Sequence, residues 1–357
     1  MVAAGTAIAI NDDIARLVDN LGEVRPTLIC AVPRIFSRLY ENVERTVAAK
    51  PRILQALFRS AMRTAKLRRK GGEVSVLEGM GLALADRLIF AQVRRKLGGR
   101  MRFVVSGSAA LGREVAEFID ALGITVYEGY GLTEASPIVA ANCERAHRMG
   151  SVGRPVPGVR VVIAERAGGE GKQGEILVYG DNVMRGYHDR PEETSEALLP
   201  DGGLCTGDLG YLDEDGFLFI TGRIKEQYKL ENGKYVVPSA AEETLKLSRY
   251  IAQVMLYGAN RPYNVALVLP DLGNLQEWAV HERVELGDIP KNPRVRTLIQ
   301  HELAERGSLL RSFERPRAFL LVAQEFTTEN GFLTPSLKLR RARVLEAYGA
   351  ELEALYQ

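Results

Sequence analysis

Apolar and polar residues follow different periods in successive parts of the chain, and each period predicts its own kind of structure. Between residues 33 and 97, apolar residues recur every third or fourth position, which predicts three amphipathic helices separated by Pro51 and Gly71. We expect their apolar faces to pack inside the protein. Residues 150–222 contain short β-type runs between Gly, Pro and Asp turns and predict a small β-barrel or sheet. Residues 223–357 combine helix and strand patterns and predict a separate small domain.

The segment 101–134 has the order strand, glycine-containing loop, amphipathic helix, strand and second loop. Such a unit sets its two strands parallel, with a right-handed crossover, and brings both loops to the carboxyl edge of the sheet. Open α/β sheets bind ligands at this edge. The segment therefore predicts a nucleotide-sized pocket whose second loop contains Tyr130, Thr133 and Glu134.

The first 33 residues have the pattern expected at the end of an α/β unit, so the chain is expected to begin within a fold. Residues 1–10 are apolar, but they have no basic leader and polar residues follow at once. A buried strand is expected here rather than a signal peptide. A helix is expected at about residues 12–21 and a buried strand at 26–32.

The composition is that of a soluble globular protein, with 46% hydrophobic and 26% charged residues. Cys30, Cys143 and Cys205 are far apart and form no Cys-x-x-Cys pair. This spacing argues against a zinc site or a disulfide framework and indicates a reducing, cytoplasmic setting. No uncharged stretch reaches the roughly 18 residues of a membrane span. We expect no nucleic-acid partner.

The net charge of +2 conceals an uneven distribution. Residues 34–102 contain 17 Lys or Arg and 5 Asp or Glu, a net charge of +12, so the rest of the chain carries −10. The segment forms either a solvated helical surface or a surface that docks on an anionic membrane or an acidic ligand. The basic run at residues 59–70 is the candidate membrane-facing patch, at the inner face of the membrane.

Three segments, 130–134, 205–210 and 221–225, have the residue types that nucleotide binding requires. In Tyr130-Gly-Leu-Thr-Glu134, a ring can stack on a base, a hydroxyl can bond a phosphate and a carboxylate can bind Mg²⁺. Thr-Glu after a strand can equally be a helix cap. Asp208 and Arg223 could bond ribose hydroxyls, or they could be a turn aspartate and a surface arginine. The glycine-rich residues 168–174 lie between strands, so a hairpin turn is expected there rather than a phosphate loop.

Together, these segments resemble the adenylate-forming (AMP-binding) superfamily and, within it, the long-chain fatty-acyl-CoA synthetases. The resemblance covers essentially all 357 residues. It is carried by RPTLICAVPRIFSRLY, VSGSAAL, EGYGLTE, SVGRPVPGV, GDNVMRGYHDRPEET, TGDLGYLDEDGFLFITGRIKEQYKLENGKYVVP and LTPSLKLRR. It implies an α/β fold: part of a large N-terminal domain, with a parallel sheet, helices and a small β-barrel, followed by a small mobile α+β domain.

The resemblance implies three parts: a partial adenylate-binding subdomain with a long-chain-type helical insert (1–149), a small β subdomain (150–222), and a mobile C-terminal domain (223–357) with its hinge near Lys225. Such enzymes join a long-chain fatty acid to ATP, forming acyl-AMP and pyrophosphate, and then pass the acyl group to the thiol of coenzyme A. The implied cofactors are ATP, Mg²⁺ and coenzyme A.

The resemblance also assigns roles to individual residues of the first part. Two small residues would line the adenine, a tyrosine would stack on it, a threonine would contact the α-phosphate and a glutamate would hold Mg²⁺. These residues are Ser108 and Ala109, Tyr130 with the neighbouring Gly131, Thr133, and Glu134.

In the remaining parts, Asp208 and Arg223 would hold the ribose and Lys225 would be the hinge. Gly233 belongs to a loop that would face the site during thioester formation. Lys338 would be the catalytic lysine of the final motif, meeting the charge that develops between the α-phosphate and the carboxylate. Leu337 occupies the position before it, where the wider superfamily commonly has glycine.

Members of this family have a Ser/Thr/Gly-rich phosphate loop ending in lysine and a tryptophan, or an equivalent residue, that gates the acyl tunnel. Residues 1–98 contain no such phosphate loop. The one tryptophan, Trp278, lies in the small domain instead of at that position. We therefore expect the 357-residue chain alone to be impaired in forming acyl-AMP, either as a shortened protein or as a split enzyme with a complementary N-terminal half. Two alternatives stay open. One is a fatty-acyl-AMP ligase that passes its product to a carrier protein, and the other is a noncatalytic module that binds AMP or acyl-AMP or docks on a membrane.

Overall fold

The computed structural model describes residues 5–11, 16–31, 33–48, 50–69, 71–107, 111–165, 173–334 and 339–357. The chain forms two compact units. The first comprises Met1–Thr206 and Tyr211–Ile220, and the second comprises Gly207–Gly210 and Thr221–Gln357. The division into three parts and the hinge at Lys225 stay predictions.

The first unit contains most of the helices and all the parallel strands of the predicted nucleotide-binding region. Its helices are α1 (Leu17–Val24), α2 (Pro33–Ala48), α3 (Arg52–Arg69), α4 (Val76–Ala85), α5 (Ala91–Lys96), α6 (Arg113–Ala121) and α7 (Pro191–Ala197). Its strands are β1 (Leu28–Ala31), β2 (Phe103–Ser106), β3 (Thr125–Gly131), β4 (Ile138–Ala141), β5 (Arg154–Pro155), β6 (Arg160–Glu165) and β7 (Gly174–Tyr179).

The predicted strand–helix–strand unit is β2, α6 and β3. Strands β1 to β5 form one sheet in chain order, in which β1, β2 and β3 are parallel and β4 and β5 are antiparallel additions. The register places Ser106 of β2 beside Glu128 of β3. The two strands therefore end at the same edge, as predicted. Tyr130, expected in the second loop, lies within β3 itself.

The helices α2, α3 and α6 pack together because each has an apolar face. Phe58 of α3 lies 6.5 Å, ring centroid to ring centroid, from Phe118 of α6. Phe58 also lies 6.0 Å from Phe90, edge to face. Pro51 and Gly71 separate the helices where the sequence predicted.

The apolar period of Leu84, Leu88, Ile89, Val93 and Leu97 predicts the third helix, but the helical segment starts earlier, at Val76. Ser75 accepts a hydrogen bond from the Glu78 backbone while the Glu78 carboxylate accepts one from the Ser75 backbone, and this capping box starts α4 at Val76. A π-helical turn (Asp86–Phe90) joins α4 to α5. Leu84 and Leu88, expected to pack inside, are 50% and 41% exposed. The expectation was wrong for these two residues, because an apolar residue on a helix is buried only where another part of the chain covers it.

The prediction of a buried strand at residues 1–10 is also wrong for the described residues 5–11. They form no strand, and Ile8 and Ile10 are 58% and 90% exposed. An apolar run becomes a buried strand only beside a partner strand, and none of the described strands pairs with it.

Strands β6 to β9 form a four-stranded sheet in chain order, with β8 (Leu204–Leu212) and β9 (Leu218–Arg223) joined by a short turn. Three of its strands follow the predicted β-type runs, whereas β8 and helix α7 were not predicted. Strands β6 and β7 are antiparallel, with Glu165 opposite Gly174. The predicted hairpin turn between them falls largely outside the described residues.

The second unit is built on a mixed three-stranded sheet covered on both faces. Strand β13 lies between antiparallel β12 and parallel β14, and every residue of β13 is buried. Helices α8 and α10 pack on the core of one face, and α11 packs on the other. The elements are β10 (Tyr228–Lys229), β11 (Tyr235–Val236), α8 (Pro238–Leu245), β12 (Ile251–Tyr257), β13 (Asn264–Pro270), α9 (Leu272–Glu282), α10 (Pro293–Gly307), β14 (Pro316–Leu321) and α11 (Arg341–Ala354).

Cys30, Cys143 and Cys205 are free thiols. Within the described ranges, no helix combines the length and the apolar character needed to cross a bilayer.

Candidate functional site

The carboxyl edge of the first sheet carries the predicted nucleotide-binding residues. Tyr130 pairs with Ala140 of β4 and its ring is half-buried against the core formed with β6 and β7. Gly131 follows at the end of β3, where a Cβ atom would lie 2.0 Å from the carbonyl oxygen of Pro137. Glycine is therefore required here so that the chain can turn back on itself. Ser108 and Ala109 lie outside the described residues.

Beyond Gly131, the chain makes a tight turn that presents Glu134. Thr133–Ala135 form a 3₁₀ turn, and the Leu132 N–H donates to the Pro137 carbonyl over 2.8 Å. Thr133 is exposed and Glu134 is half-buried. Thr133 and Glu134 therefore do not cap an α-helix, which was the alternative interpretation. No α-helix follows them, because the 3₁₀ turn ends at Ser136 in a left-handed conformation with φ of 52°. We call residues 131–138 the Glu134 turn.

The Glu134 carboxylate fits a Mg²⁺ ligand. Mg²⁺ in nucleotide enzymes is held by one or two carboxylates together with substrate phosphates and keeps several waters. A single half-buried carboxylate at the carboxyl edge of the sheet meets this requirement, whereas a fully buried one would have no room for the phosphate or the waters.

Tyr187 is a functional candidate that the sequence patterns did not reveal. Its hydroxyl donates a hydrogen bond of 2.8 Å to Oε1 of Glu134. This hydrogen bond, together with burial, raises the pKa of Tyr187 above its usual value, so the hydroxyl stays a donor at neutral pH. The sequence did contain one indication of Tyr187. It lies in GDNVMRGYHDRPEET, one of the segments that carry the family resemblance, but the resemblance assigned no role to this residue.

Glu128 is a second residue that sequence reasoning missed. It lies on β3, is 8% exposed, and accepts a 3.3 Å hydrogen bond from the Leu111 N–H. Burial raises the pKa of Glu128, and the N–H groups of Leu111 and Gly150 oppose that rise. Leu111 follows directly on the predicted adenine-lining loop, so Glu128 ties the end of that loop to the sheet.

In the second unit, Asp208 and Arg223 contact each other. Nε of Arg223 lies 2.8 Å from Oδ1 of Asp208. Asp208 is 4% exposed and lies within β8, so it is not the turn aspartate of the alternative interpretation. The Arg223 side chain is 58% exposed, which leaves donors for a ligand.

Lys225 and Gly233 both lie on exposed segments. Lys225 precedes a small hairpin and Gly233 lies within it. Lys225 is exposed within a 3₁₀ turn, Ile224–Glu226. Strands β10 and β11 pair antiparallel, and Gly233 lies at the tip of their hairpin with φ of +84°. A glycine suits this left-handed position, so the predicted glycine loop is the hairpin tip.

Lys338 lies outside the described residues, but the chain on both sides of it is described. Leu333 and Leu339 form an antiparallel bridge, and the Arg340 N–H donates to the Phe332 carbonyl over 2.8 Å. Phe332 and Leu333 are buried in the unit's core. The two ends of this segment are therefore held together on a rigid base.

Next to that base, Glu242 of α8 and Arg341 of α11 form a buried ion pair around the peptide groups of Leu256. Oε1 of Glu242 accepts from the Leu256 N–H over 2.6 Å, and Nη1 of Arg341 donates to the Leu256 carbonyl over 3.2 Å. Leu256 lies on β12, an edge strand, so the ion pair takes the place of a neighbouring strand. We call these three residues the Leu256 clamp.

Comparison with known proteins identifies the family. The profile of the family described as AMP-binding enzyme matches residues 1–188, and that of the AMP-binding enzyme C-terminal domain matches residues 225–357. The chain belongs to the AMP-binding enzyme family. Its two units thus correspond to the two matched domains of this family.

Several curated proteins that the chain resembles are long-chain-fatty-acid–CoA ligases. The chain is 34% identical over 355 residues to long-chain-fatty-acid–CoA ligase FadD15 of Mycobacterium bovis, covering 98% of this chain and 58% of that protein. It is 33% identical over 355 residues to human long-chain-fatty-acid–CoA ligase 1, covering 96% of this chain and 50% of that protein. The chain thus spans about half to three-fifths of the length of these relatives.

Solved structures of adenylation domains share the fold. The A domain of carboxylic acid reductase from Segniliparus rugosus, in complex with AMP and a co-purified carboxylic acid, superposes with a TM-score of 0.71 at 26% identity. The match covers 98% of this AMP-binding enzyme chain and 50% of that domain.

Proposed function

We propose that this chain carries the residues with which a long-chain fatty acid–CoA ligase forms and consumes acyl-AMP. The observation that supports the proposal most is the Glu134 turn, which follows β3 at the carboxyl edge of a parallel sheet and presents the half-buried carboxylate of Glu134. The family and the curated relatives agree with this chemistry.

The proposed reaction has two steps. In the first, a carboxylate oxygen of the fatty acid attacks the α-phosphorus of ATP, and pyrophosphate leaves. In the second, the sulfur of coenzyme A attacks the acyl carbon, and AMP leaves with the bonding electrons. Mg²⁺ would supply positive charge to the phosphates, and the residues of this chain bind and orient the nucleotide.

Each residue has a definite task in this proposal. Tyr130 stacks on the adenine that Ser108 and Ala109 line, and Thr133 bonds the α-phosphate. Glu134 holds Mg²⁺. The ribose hydroxyls bond to the buried carboxylate of Asp208 and the exposed guanidinium of Arg223.

The second unit has to serve both steps with different residues. Lys338 neutralises charge during adenylation, whereas the hairpin tip with Gly233 serves thioester formation, and Lys225 is the hinge between these states.

Removal of the Lys338 ammonium tests the proposal. We expect Lys338→Ala to slow acyl-AMP formation by about 10²- to 10³-fold while leaving thioester formation from supplied acyl-AMP nearly unchanged. Lys291→Ala is the matched control, because Lys291 is 85% exposed and pairs with a surface aspartate. Both half-reactions are measured separately, by pyrophosphate release and by loss of the coenzyme A thiol.

The same measurements distinguish the alternatives. Equal losses in both half-reactions would contradict the role of Lys338. Transfer of the acyl group to a phosphopantetheine carrier protein but not to coenzyme A would establish a fatty-acyl-AMP ligase. Binding of AMP or acyl-AMP without turnover of supplied acyl-AMP would establish a noncatalytic module.

An exposed apolar stripe on α4 and the π-helical turn after it favours a second property, attachment to an anionic membrane surface. Leu77, Met80, Leu84 and Leu88 are spaced three or four residues apart and are between 41% and 81% exposed. Basic residues follow the stripe, since Arg87, Arg95 and Lys96 are exposed. Apolar side chains flanked by basic ones are typical of helices that lie in a lipid interface.

Binding to phosphatidylglycerol vesicles tests this attachment. We expect binding to fall with salt, and to fall further when Leu77→Ser and Met80→Ser are combined, because both charge and apolar burial contribute. Val280→Ser is the control, since Val280 is 81% exposed on α9 of the other unit. Vesicle binding that does not change with salt or with the double substitution would contradict membrane attachment through α4, which would then be an ordinary exposed helix.

A further inference from the structure

Tyr187 is held in place by a closed loop within residues 186–194. The Tyr187 N–H donates to Oγ1 of Thr194 over 2.9 Å, and that hydroxyl donates to the Arg190 carbonyl over 2.6 Å. Gly186 has φ of +148°, and a Cβ atom there would lie 2.7 Å from Cγ2 of Thr194. Glycine at 186 and threonine at 194 are therefore both needed to close the loop and fix the backbone of Tyr187.

A second set of contacts fastens the preceding residues to the Glu134 turn. The Met184 N–H donates to the Glu134 carbonyl over 2.8 Å. The Asn182 amide donates to the carbonyls of Ala135 and Ile138 over 3.0 and 3.1 Å. Residues 182–187 are thus attached to the turn at its backbone, and only Tyr187 reaches the carboxylate itself.

We propose that Tyr187 is a positioning residue for the metal-binding carboxylate of Glu134. Its hydroxyl donates a hydrogen bond to Oε1 of Glu134, and this bond fixes the plane of the carboxylate. Oε2, which accepts no hydrogen bond from any part of the chain that the structure describes, is left for Mg²⁺. This inference rests on the proposed function, because that function assigns the metal to Glu134.

The physical reason is preorganisation. A glutamate side chain has three rotatable bonds, and fixing them when a metal binds costs conformational entropy of up to about 2 kcal/mol. Tyr187 lies on a closed loop, so its backbone conformation is already restricted before a metal binds. The hydrogen bond from Tyr187 therefore fixes the Glu134 side chain during folding, and part of the entropy cost no longer falls on metal binding.

Metal binding by the full 357-residue chain measures this effect without requiring turnover. Mn²⁺ is the probe, because carboxylate sites accept it in place of Mg²⁺ and its electron paramagnetic resonance signal reports the free ion. We expect Tyr187→Phe to weaken Mn²⁺ binding in the presence of AMP, which itself binds Mn²⁺ only weakly, by about threefold to tenfold, the loss of one hydrogen bond. AMP affinity in the presence of EDTA should not change, whereas a merely structural role would lower both.

Tyr179→Phe is the matched control, since the Tyr179 hydroxyl also donates to a carboxylate, that of Asp201, over 3.1 Å. It should leave Mn²⁺ binding unchanged. Thr194→Val should weaken Mn²⁺ binding in the same direction as Tyr187→Phe, because it opens the loop without touching Glu134.

Glu134→Gln separates this inference from the proposed function. If Glu134→Gln abolishes Mn²⁺ binding and Tyr187→Phe leaves it unchanged, Tyr187 is not a positioning residue and the proposed metal role of Glu134 stands. If Glu134→Gln itself leaves Mn²⁺ binding unchanged, the metal assignment fails and the inference fails with it.

Discussion

The Glu134 turn and the Leu256 clamp both hold a glutamate, but they hold it in opposite ways. Glu134 is half-buried and receives one hydrogen bond from a neutral tyrosine hydroxyl. Glu242 is buried, pairs with a guanidinium and accepts a backbone N–H. The first carboxylate keeps an oxygen and its charge available to a ligand, whereas the charge of the second is compensated within the protein.

This difference shows why the type of partner indicates the role of a buried or half-buried acid. A guanidinium neutralises the carboxylate and makes it part of the scaffold. A neutral donor orients the carboxylate without neutralising it, so the negative charge still attracts a cation. The three predictions that follow test how far this distinction extends, and they run from the largest expected effect to the smallest.

Breaking the Leu256 clamp should cost the most stability. Glu242→Ala leaves the half-buried Arg341 guanidinium without its partner, and losing one member of such a pair costs up to about 3 to 5 kcal/mol. Chemical denaturation of the second unit's transition measures the change. Glu346→Ala is the control, because Glu346 pairs with Arg343 on the exposed side of α11 and should cost about 1 kcal/mol or less.

Replacing both charged residues sharpens this comparison. Glu242→Met with Arg341→Met should recover much of the lost stability, since apolar side chains of similar volume often replace a buried ion pair at little cost. A double variant no more stable than Glu242→Ala would show that the two hydrogen bonds to Leu256, rather than the charges, stabilise the edge strand.

Removing Asp208 should weaken nucleotide binding by an intermediate amount. Asp208→Ala leaves ribose hydroxyls without an acceptor, which costs about 1 to 3 kcal/mol of AMP affinity by calorimetry. Asp215→Ala is the control, because Asp215 is an exposed carboxylate that also pairs with an arginine, Arg148. AMP affinity that is the same in both variants would make Asp208 a structural acid like Glu242.

Glu128 should lower the free energy of unfolding as pH rises, whereas an acid in a salt bridge raises it. Because burial raises its pKa in the folded state, its contribution is fully present below the unfolded pKa of about 4.3 and is lost as pH rises through the folded value. Glu128→Gln should therefore become more stable relative to the parent as pH rises from about 4 to about 7.5.

Thermal unfolding across this pH range measures the difference, which should be the smallest of the three at neutral pH. Glu144→Gln is the control, since Glu144 is exposed. A parent whose stability rises through this range relative to Glu128→Gln would show that the N–H groups of Leu111 and Gly150 outweigh burial.

Much of the first sheet's edge could be predicted because its signals are local. The order of β2, α6 and β3 follows from apolar periods within 101–134, and parallel pairing then brings both strand ends to one edge. The breaks at Pro51 and Gly71 follow from residues that cannot continue a helix. Tyr130, Gly131, Thr133 and Glu134 could be proposed together for the same reason, because they are neighbours in the chain, and their roles stay predictions.

The sequence by itself therefore determined the class of fold, the family resemblance and the residue types available for nucleotide chemistry. Only the tertiary structure decided which of them meet. Tyr187 reaches Glu134 across 53 positions and Arg341 reaches Glu242 across 99, and no local pattern encodes such a contact. The same holds for exposure: α4 is apolar in sequence like a core helix, yet its Leu77 and Met80 face outward. Periodicity specifies which side of an element is apolar, whereas burial depends on whether another part of the chain covers that side.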